Sequence, residues 1–158
     1  MRLVLVRHAK SARPPDVIDH DRPLAPRGVD DATAVGAFLA KRGAIPGRIV
    51  ASSAVRAFET ARILADFADP QDPVRVDAAL YAGGVATVLA AASGFDDVLI
   101  VGHEPTMSMA VELLTGATVA MVTTAVACIE ITGQPDDAPW VGTLTWLVTP
   151  GLVRGTRP

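Results

Sequence analysis

The 158-residue chain has little of several things, and each shortage removes a class of function. Cys128 is its only cysteine, which leaves no disulfide framework and no thiolate metal site. Between Ala127 and Ile129 it reads as a small core residue in a reducing setting. Aromatic residues make up 4%, so the core must be built from Ala, Val, Leu and Ile, which suits closely packed helices and sheet. No basic run occurs and the formal net charge is -3, so no general affinity for nucleic acid is indicated. Mean hydropathy is positive at +0.36. Even so, no unbroken apolar stretch reaches the roughly 20 residues of a membrane span. The most apolar candidate, Ala117 to Ile129, carries three Thr residues and reads as two core strands. The first residues are interrupted too soon for a secretory leader, and a cytoplasmic location is expected. No repeat, low-complexity tract or linker divides the chain, so residues 1–158 are read as one domain.

What is present is an alternation of apolar runs and helix-period segments. Strands are expected at Leu3–Val6, Arg48–Ala51, Val74–Val76, Asp97–Val101, Val126–Ile131 and Thr143–Val148. Pro26 suits the first position of a helix whose apolar face is Val29, Ala32, Gly36 and Leu39. A second helix starts at Ser53 and runs to about Ala68, with Phe58, Ala61, Leu64 and Ala65 inward. An Ala-rich helix follows Gly83-Gly84 and ends near Gly94. Another follows Pro105 and ends near Gly116. Asp136–Pro139 reads as a turn, Trp140 and Trp146 as packing residues, and the tail after Pro150 as loose. The pattern predicts an α/β fold: a three-layer α/β/α sandwich whose mainly parallel sheet has an antiparallel edge.

Two of the three histidines occupy equivalent places. Leu3-Val4-Leu5-Val6 runs into Arg7-His8, and Val98-Leu99-Ile100-Val101 runs into Gly102-His103. Ligands of open α/β sheets bind beyond the carboxyl ends of the strands, so both imidazoles should emerge at one edge. One such histidine could simply mark where a strand meets solvent; two, one of them preceded by Arg, indicate a site. With Ser53 as N-cap, Arg56 sits in the first helical turn, where a cation opposes the helix dipole by about 0.3–1 kcal/mol. An anion nearby would reverse that sign. Two Arg, two His and helix N-termini suit a highly charged oxyanion, above all a phosphoryl group.

These residues resemble the histidine phosphatase superfamily, which includes the phosphoglycerate mutases. Its Arg-His-Gly motif stands here as Arg7-His8-Ala9. Its helix motif stands as Ser53-Ala54-Val55-Arg56-Ala57-Phe58-Glu59-Thr60-Ala61, and its Gly-His-Asn-Pro as Gly102-His103-Glu104-Pro105. The short chain, the opening Arg7-His8-Ala9-Lys10-Ser11 and Asp21-Arg22-Pro23-Leu24 are similar to the SixA-type phosphohistidine phosphatases. The resemblance implies a phosphatase in which His8 is the nucleophile and forms a phosphohistidine, while Arg7, Arg56 and His103 hold the phosphoryl oxygens. It implies no metal or other cofactor. His103-Glu104 does not open a zinc-binding H-E-x-x-H motif, because Met107 stands where the second His would be. Expected substrates are a phosphorylated protein, bearing phosphohistidine, or a small phosphate ester. A phosphate-binding module without catalysis is the alternative outside enzymes. Many relatives carry a Glu as general acid where this chain has Leu80-Tyr81-Ala82-Gly83. Of the other carboxylates (Asp16, Asp19, Asp21, Asp77 and Glu104), Asp21 is preferred, because its loop follows directly from the His8 strand. Ser11 is a second candidate for the phosphate, equally readable as a turn residue. His20 reads as a solvent contact.

Overall fold

A computed structural model describes residues 1–68, 73–133 and 140–155. Among them, strands β1 (Arg2–Arg7), β2 (Ile49–Ser52), β3 (Arg75–Asp77), β4 (Asp97–Gly102), β5 (Val126–Ile131) and β6 (Gly142–Val148) form one sheet. The order is β3-β2-β4-β1-β5-β6. The first four of that order run parallel, and β5 and β6 add an antiparallel edge. Helices α1 (Pro26–Ala40), α2 (Val55–Ala65), α3 (Val85–Ala92), α4 (Thr106–Thr115) and α5 (Pro150–Arg154) complete the described fold.

The period-two alternation of β1 decides the layers. Leu3 and Leu5 join Val98, Ile100 and the inner faces of α3 and α4 (Val88, Met107, Val111) in one core cluster. Val4 and Val6 point to the other side, with Leu99, Val101 and residues Val35, Leu39, Ala61 and Leu64 of α1 and α2. Burial on both faces explains why β1 and β4 are apolar without interruption. The three-layer sandwich is therefore as expected.

Several boundaries differ from expectation. Residues 117–125 carry no strand; β5 begins at Val126, so Ala117–Ile129 holds one strand, not two. The preceding segment is used instead to present the Met121 carbonyl to Arg7. The tail after Pro150 is not loose through Arg154. Thr149 caps α5 by accepting from the Leu152 amide at 3.3 Å, and Arg154 pairs with buried Asp31 at 2.9 Å. The N-cap of α2 is Ala54 rather than Ser53. Pro105 caps α4 from one residue outside it. Val29 faces solvent, since the inner face of α1 is Ala32, Val35, Gly36 and Leu39. Trp140 packs against one core cluster and Trp146 against the other. The turn expected at Asp136–Pro139 lies outside the described residues.

Candidate active site

Strand register builds the site. β1 and β4 are central neighbours, with Arg7 opposite Gly102, so the next residue on each is a histidine. The His8 amide donates to the Gly102 carbonyl at 3.0 Å and extends the ladder by one step. The two imidazoles emerge side by side, with ring centroids 5.1 Å apart. Adjacent β2 ends at Ser52 and leads into α2, which delivers Arg56 to the same edge.

The hydrogen bonds assign the protons. His8 Nδ1 lies 2.7 Å from the Ala9 carbonyl, which can only accept, so Nδ1 carries the hydrogen. The lone pair of the neutral ring is then on Nε2, where the Arg56 Nε–H donates at 3.2 Å. Burial, together with the positive charge of Arg56 and Arg7 and the neighbouring His103, pushes the His8 pKa down to about 3, against the Ala9 contact. His103 is pushed down to about 4 by burial and by Arg56. Its Nδ1 faces Arg56 Nη2 at 3.5 Å, and its Nε2 donates to Ser52 Oγ at 2.8 Å. Both rings are therefore neutral near pH 7.

Arg56 is 7% exposed and binds from every nitrogen. Nη1 donates to the Asp19 carbonyl at 2.6 Å and Nη2 to the Asp19 carboxylate at 2.9 Å. These contacts aim Nε at His8. Arg7 gives Nη1 to the Met121 carbonyl at 2.9 Å, while its Nε is buried without a protein acceptor. Beneath them, Thr60 is fully buried. Its hydroxyl accepts from the Ala9 amide at 3.0 Å and donates to the Arg56 carbonyl at 2.6 Å, tying the nucleophile's loop to α2.

The structure thus gathers His8, Arg7, Arg56 and His103. Ser11 is buried and bonded through its hydroxyl to Arg22 Nη2, so it pins the long loop, with a bridge to Leu24. Asp21 pairs with His20 Nδ1 at 2.7 Å. The carboxylate that reaches Arg56 is Asp19, because residues two apart on the 3₁₀ turn Asp19–Asp21 point in different directions. Asp77 caps the turn after β3 through the Ala79 amide. His20 is more than a solvent contact: its Nε2 meets Ser53 Oγ at 3.0 Å and its ring stands edge-on to Tyr81 at 5.0 Å.

Three contributors are absent from the sequence reading: Tyr81, Ser52 and the Met121 carbonyl. Tyr81 donates its hydroxyl to Asp19 Oδ2 at 3.0 Å, and its ring is 5.7 Å from that of His103. Burial works against ionisation of Asp19, but Tyr81 and Arg56 hold its carboxyl below the usual range. Ser52 had a signal, being the last residue of a strand at the same edge. Asp19 stands among the weighed carboxylates, but nothing in the sequence sets it above Asp21, and Tyr81 has no signal, since loop and turn meet only in three dimensions. Among the described residues, no group of three or more His, Cys, Asp or Glu is placed to hold a metal ion.

Comparison with known proteins agrees with this arrangement. An uncharacterized Mycobacterium tuberculosis protein is 38% identical over 107 residues, 65% of each chain, so the chain spans about two-thirds of that relative's length. The SixA structure from Nakamurella multipartitia is 34% identical and superposes with a TM-score of 0.75 over 94% of this chain and 95% of that one. A tungstate complex of the protein histidine phosphatase SixA shares the fold at a TM-score of 0.84 and 24% identity, over 97% of this chain and 99% of that one. The family model of the histidine phosphatase superfamily (branch 1) matches residues 3–81, half of the chain, including the strand end with Arg7-His8 and the helix start with Arg56. With the register of β1 and β4 bringing His103 beside that pair, the chain belongs to the histidine phosphatase superfamily and is of the SixA type.

Proposed function

We propose that the protein is a phosphatase that works through a phosphohistidine on His8, with protein phosphohistidine as its substrate. The observation that carries this is the state of His8. A neutral ring with its hydrogen held on Nδ1 by Ala9 presents the Nε2 lone pair at the mouth, between two guanidinium groups. An entering phosphoryl group takes the Arg56 Nε–H for one of its oxygens and frees the lone pair for in-line attack. The buried Arg7 Nε, which lacks a protein acceptor, suits a second oxygen. His103, neutral and fixed between Ser52 and Arg56, stands beside the His8 ring at the same mouth. The His8 Nε2–P bond forms as the leaving-group bond to phosphorus breaks. Water then attacks phosphorus in a second displacement, releasing phosphate and restoring His8. Fixed positive charge stabilises both transition states, which is most of what phosphoryl transfer requires.

The leaving group favours phosphohistidine. An alkoxide needs a proton as it departs, whereas an imidazole that already carries a proton leaves as a neutral molecule. The mouth is lined by Asp19, with a side chain 53% exposed, and by partly exposed His20 and Tyr81, which admits a side chain of another protein. The test is a panel of phosphohistidine protein, phosphoserine peptide and small esters, with His8→Ala as control. The expected result is fastest turnover of phosphohistidine and an acid-labile, base-stable phosphoryl label on His8. Undiminished activity in His8→Ala would overturn the mechanism; rapid turnover of small esters without action on phosphohistidine would overturn the substrate.

A further inference from the structure

We infer that Asp19 and Tyr81 form a leaving-group subsite, in which the Asp19 carboxylate accepts the N–H of the substrate's own phosphorylated imidazole. This rests on the phosphohistidine reading above and adds how the site would tell that substrate from an ester.

Placement is the first argument. Asp19 is joined to Arg56 through both its carbonyl and its carboxylate, and Arg56 touches His8, so the carboxylate lies one side chain from the nucleophile. Capacity is the second. Oδ1 accepts from Arg22 at 2.6 Å, and Oδ2 accepts from Arg56 and Tyr81. A carboxylate has about four acceptor positions, so one is left, on the half-exposed Oδ1. Those three donors also hold the carboxylate in one orientation. Shape is the third. The Tyr81 ring, flanked edge-on by His20 at 5.0 Å and His103 at 5.7 Å, supplies a flat wall against which an imidazole can lie.

The chemistry then balances without an acid from the protein. His8 Nε2 forms its bond to phosphorus while the substrate N–P bond breaks and its electron pair stays on the substrate nitrogen. The proton on the distal ring nitrogen, held there by Asp19, remains, and neutral imidazole departs. A phosphoserine or sugar ester offers no such N–H. Tyr81 stands in the Leu80-Tyr81-Ala82-Gly83 segment, which carries no carboxyl group of its own to protonate an ester leaving group.

The experiment compares kcat/KM of the full chain and Asp19→Asn on two probes, a phosphohistidine peptide and p-nitrophenyl phosphate, whose leaving group departs without a proton. Both probes pass their phosphoryl group beside Arg56, so a role limited to positioning Arg56 lowers both equally. The expected result is a loss on phosphohistidine about tenfold or more beyond the loss on the aryl phosphate, as for a charge-assisted hydrogen bond. Asp19→Glu, which keeps the carboxylate, should recover part of the difference and serves if the Asn variant folds poorly. Equal losses on both probes would overturn the subsite while leaving the phosphatase reading intact. A wild-type chain that cleaves only the aryl phosphate would overturn the substrate reading and the subsite together.

Discussion

Arg56 allows the site to be tested with two substitutions that separate charge from geometry. Its guanidinium makes three directed contacts: Nε to His8 at 3.2 Å, Nη1 to the Asp19 carbonyl at 2.6 Å and Nη2 to the Asp19 carboxylate at 2.9 Å. Lysine keeps the charge but cannot reproduce a planar fork with all three. Losing one preorganised donor in a water-poor site costs about 10²–10³ in turnover, the range expected for Arg56→Lys. Arg56→Ala removes the charge as well and should lose roughly 10³–10⁵. Stability should move much less. The Asp19 partner is half exposed, which puts the ion pair at about 0–1 kcal/mol. For a chain of this size 1 kcal/mol corresponds to roughly 2–4 °C in Tm. The assay is single-turnover formation of phospho-His8 alongside thermal unfolding. If Arg56→Lys formed the phosphoenzyme within threefold of wild type, the claim that the fork's geometry matters would be refuted. A large loss of Tm with unchanged chemistry would make Arg56 a structural residue.

Three further outcomes follow from the same geometry. Thr60→Val leaves the buried Ala9 amide without its acceptor and should cost about 1–3 kcal/mol in urea unfolding, with Thr60→Ser largely restoring it; an unchanged midpoint for the Val variant would show that the loop finds another partner. Because His8 and His103 titrate near 3 and 4 when folded and near 6.5 when unfolded, the unfolded chain binds more protons below neutrality. Their contribution to stability is then full above about pH 6.5 and is lost progressively as pH falls toward those folded values. Nitrogen NMR should show His8 still neutral at pH 5 with its hydrogen on Nδ1, and a midpoint near 6.5 would contradict the desolvated environment. In Gly28→Ala the new methyl carbon would sit 2.1 Å from the Lys10 carbonyl oxygen. Backbone must shift, costing about 1–3 kcal/mol and displacing the loop that carries Asp19; wild-type unfolding and turnover would show that α1 and the loop are not locked together.

Much of the fold was legible because it is local or repetitive. Period-two burial in Leu3–Val6 and Val98–Val101 and the Pro at the start of α1 all act over a few residues. Expectations failed where a distant partner overrides local preference. Ala117–Ala125 has the composition of a strand but no neighbouring strand to pair with, and its backbone serves Arg7 and β1 instead. The tail at Pro150–Arg154 is ordered by Asp31 on α1, more than a hundred residues away in sequence. Asp21 was preferred over Asp19 because sequence distance from His8 hardly separates them; the 3₁₀ turn does.

The sequence by itself determined that the chain is an α/β domain with Arg7-His8, Arg56 and His103 at one sheet edge. Strand ends and helix starts are local features, and the ordered motifs carry the family. Tertiary structure decided that β1 and β4 are neighbours in a register that sets His8 beside His103, and that Ala9 and Arg56 together assign the lone pair to Nε2. It also decided that the carboxylate at the mouth is Asp19, clasped by Arg22, Arg56 and Tyr81. The physical reason is that proton position, pKa and carboxylate orientation depend on what surrounds an atom within a few ångströms, and here those surroundings come from four separate parts of the chain.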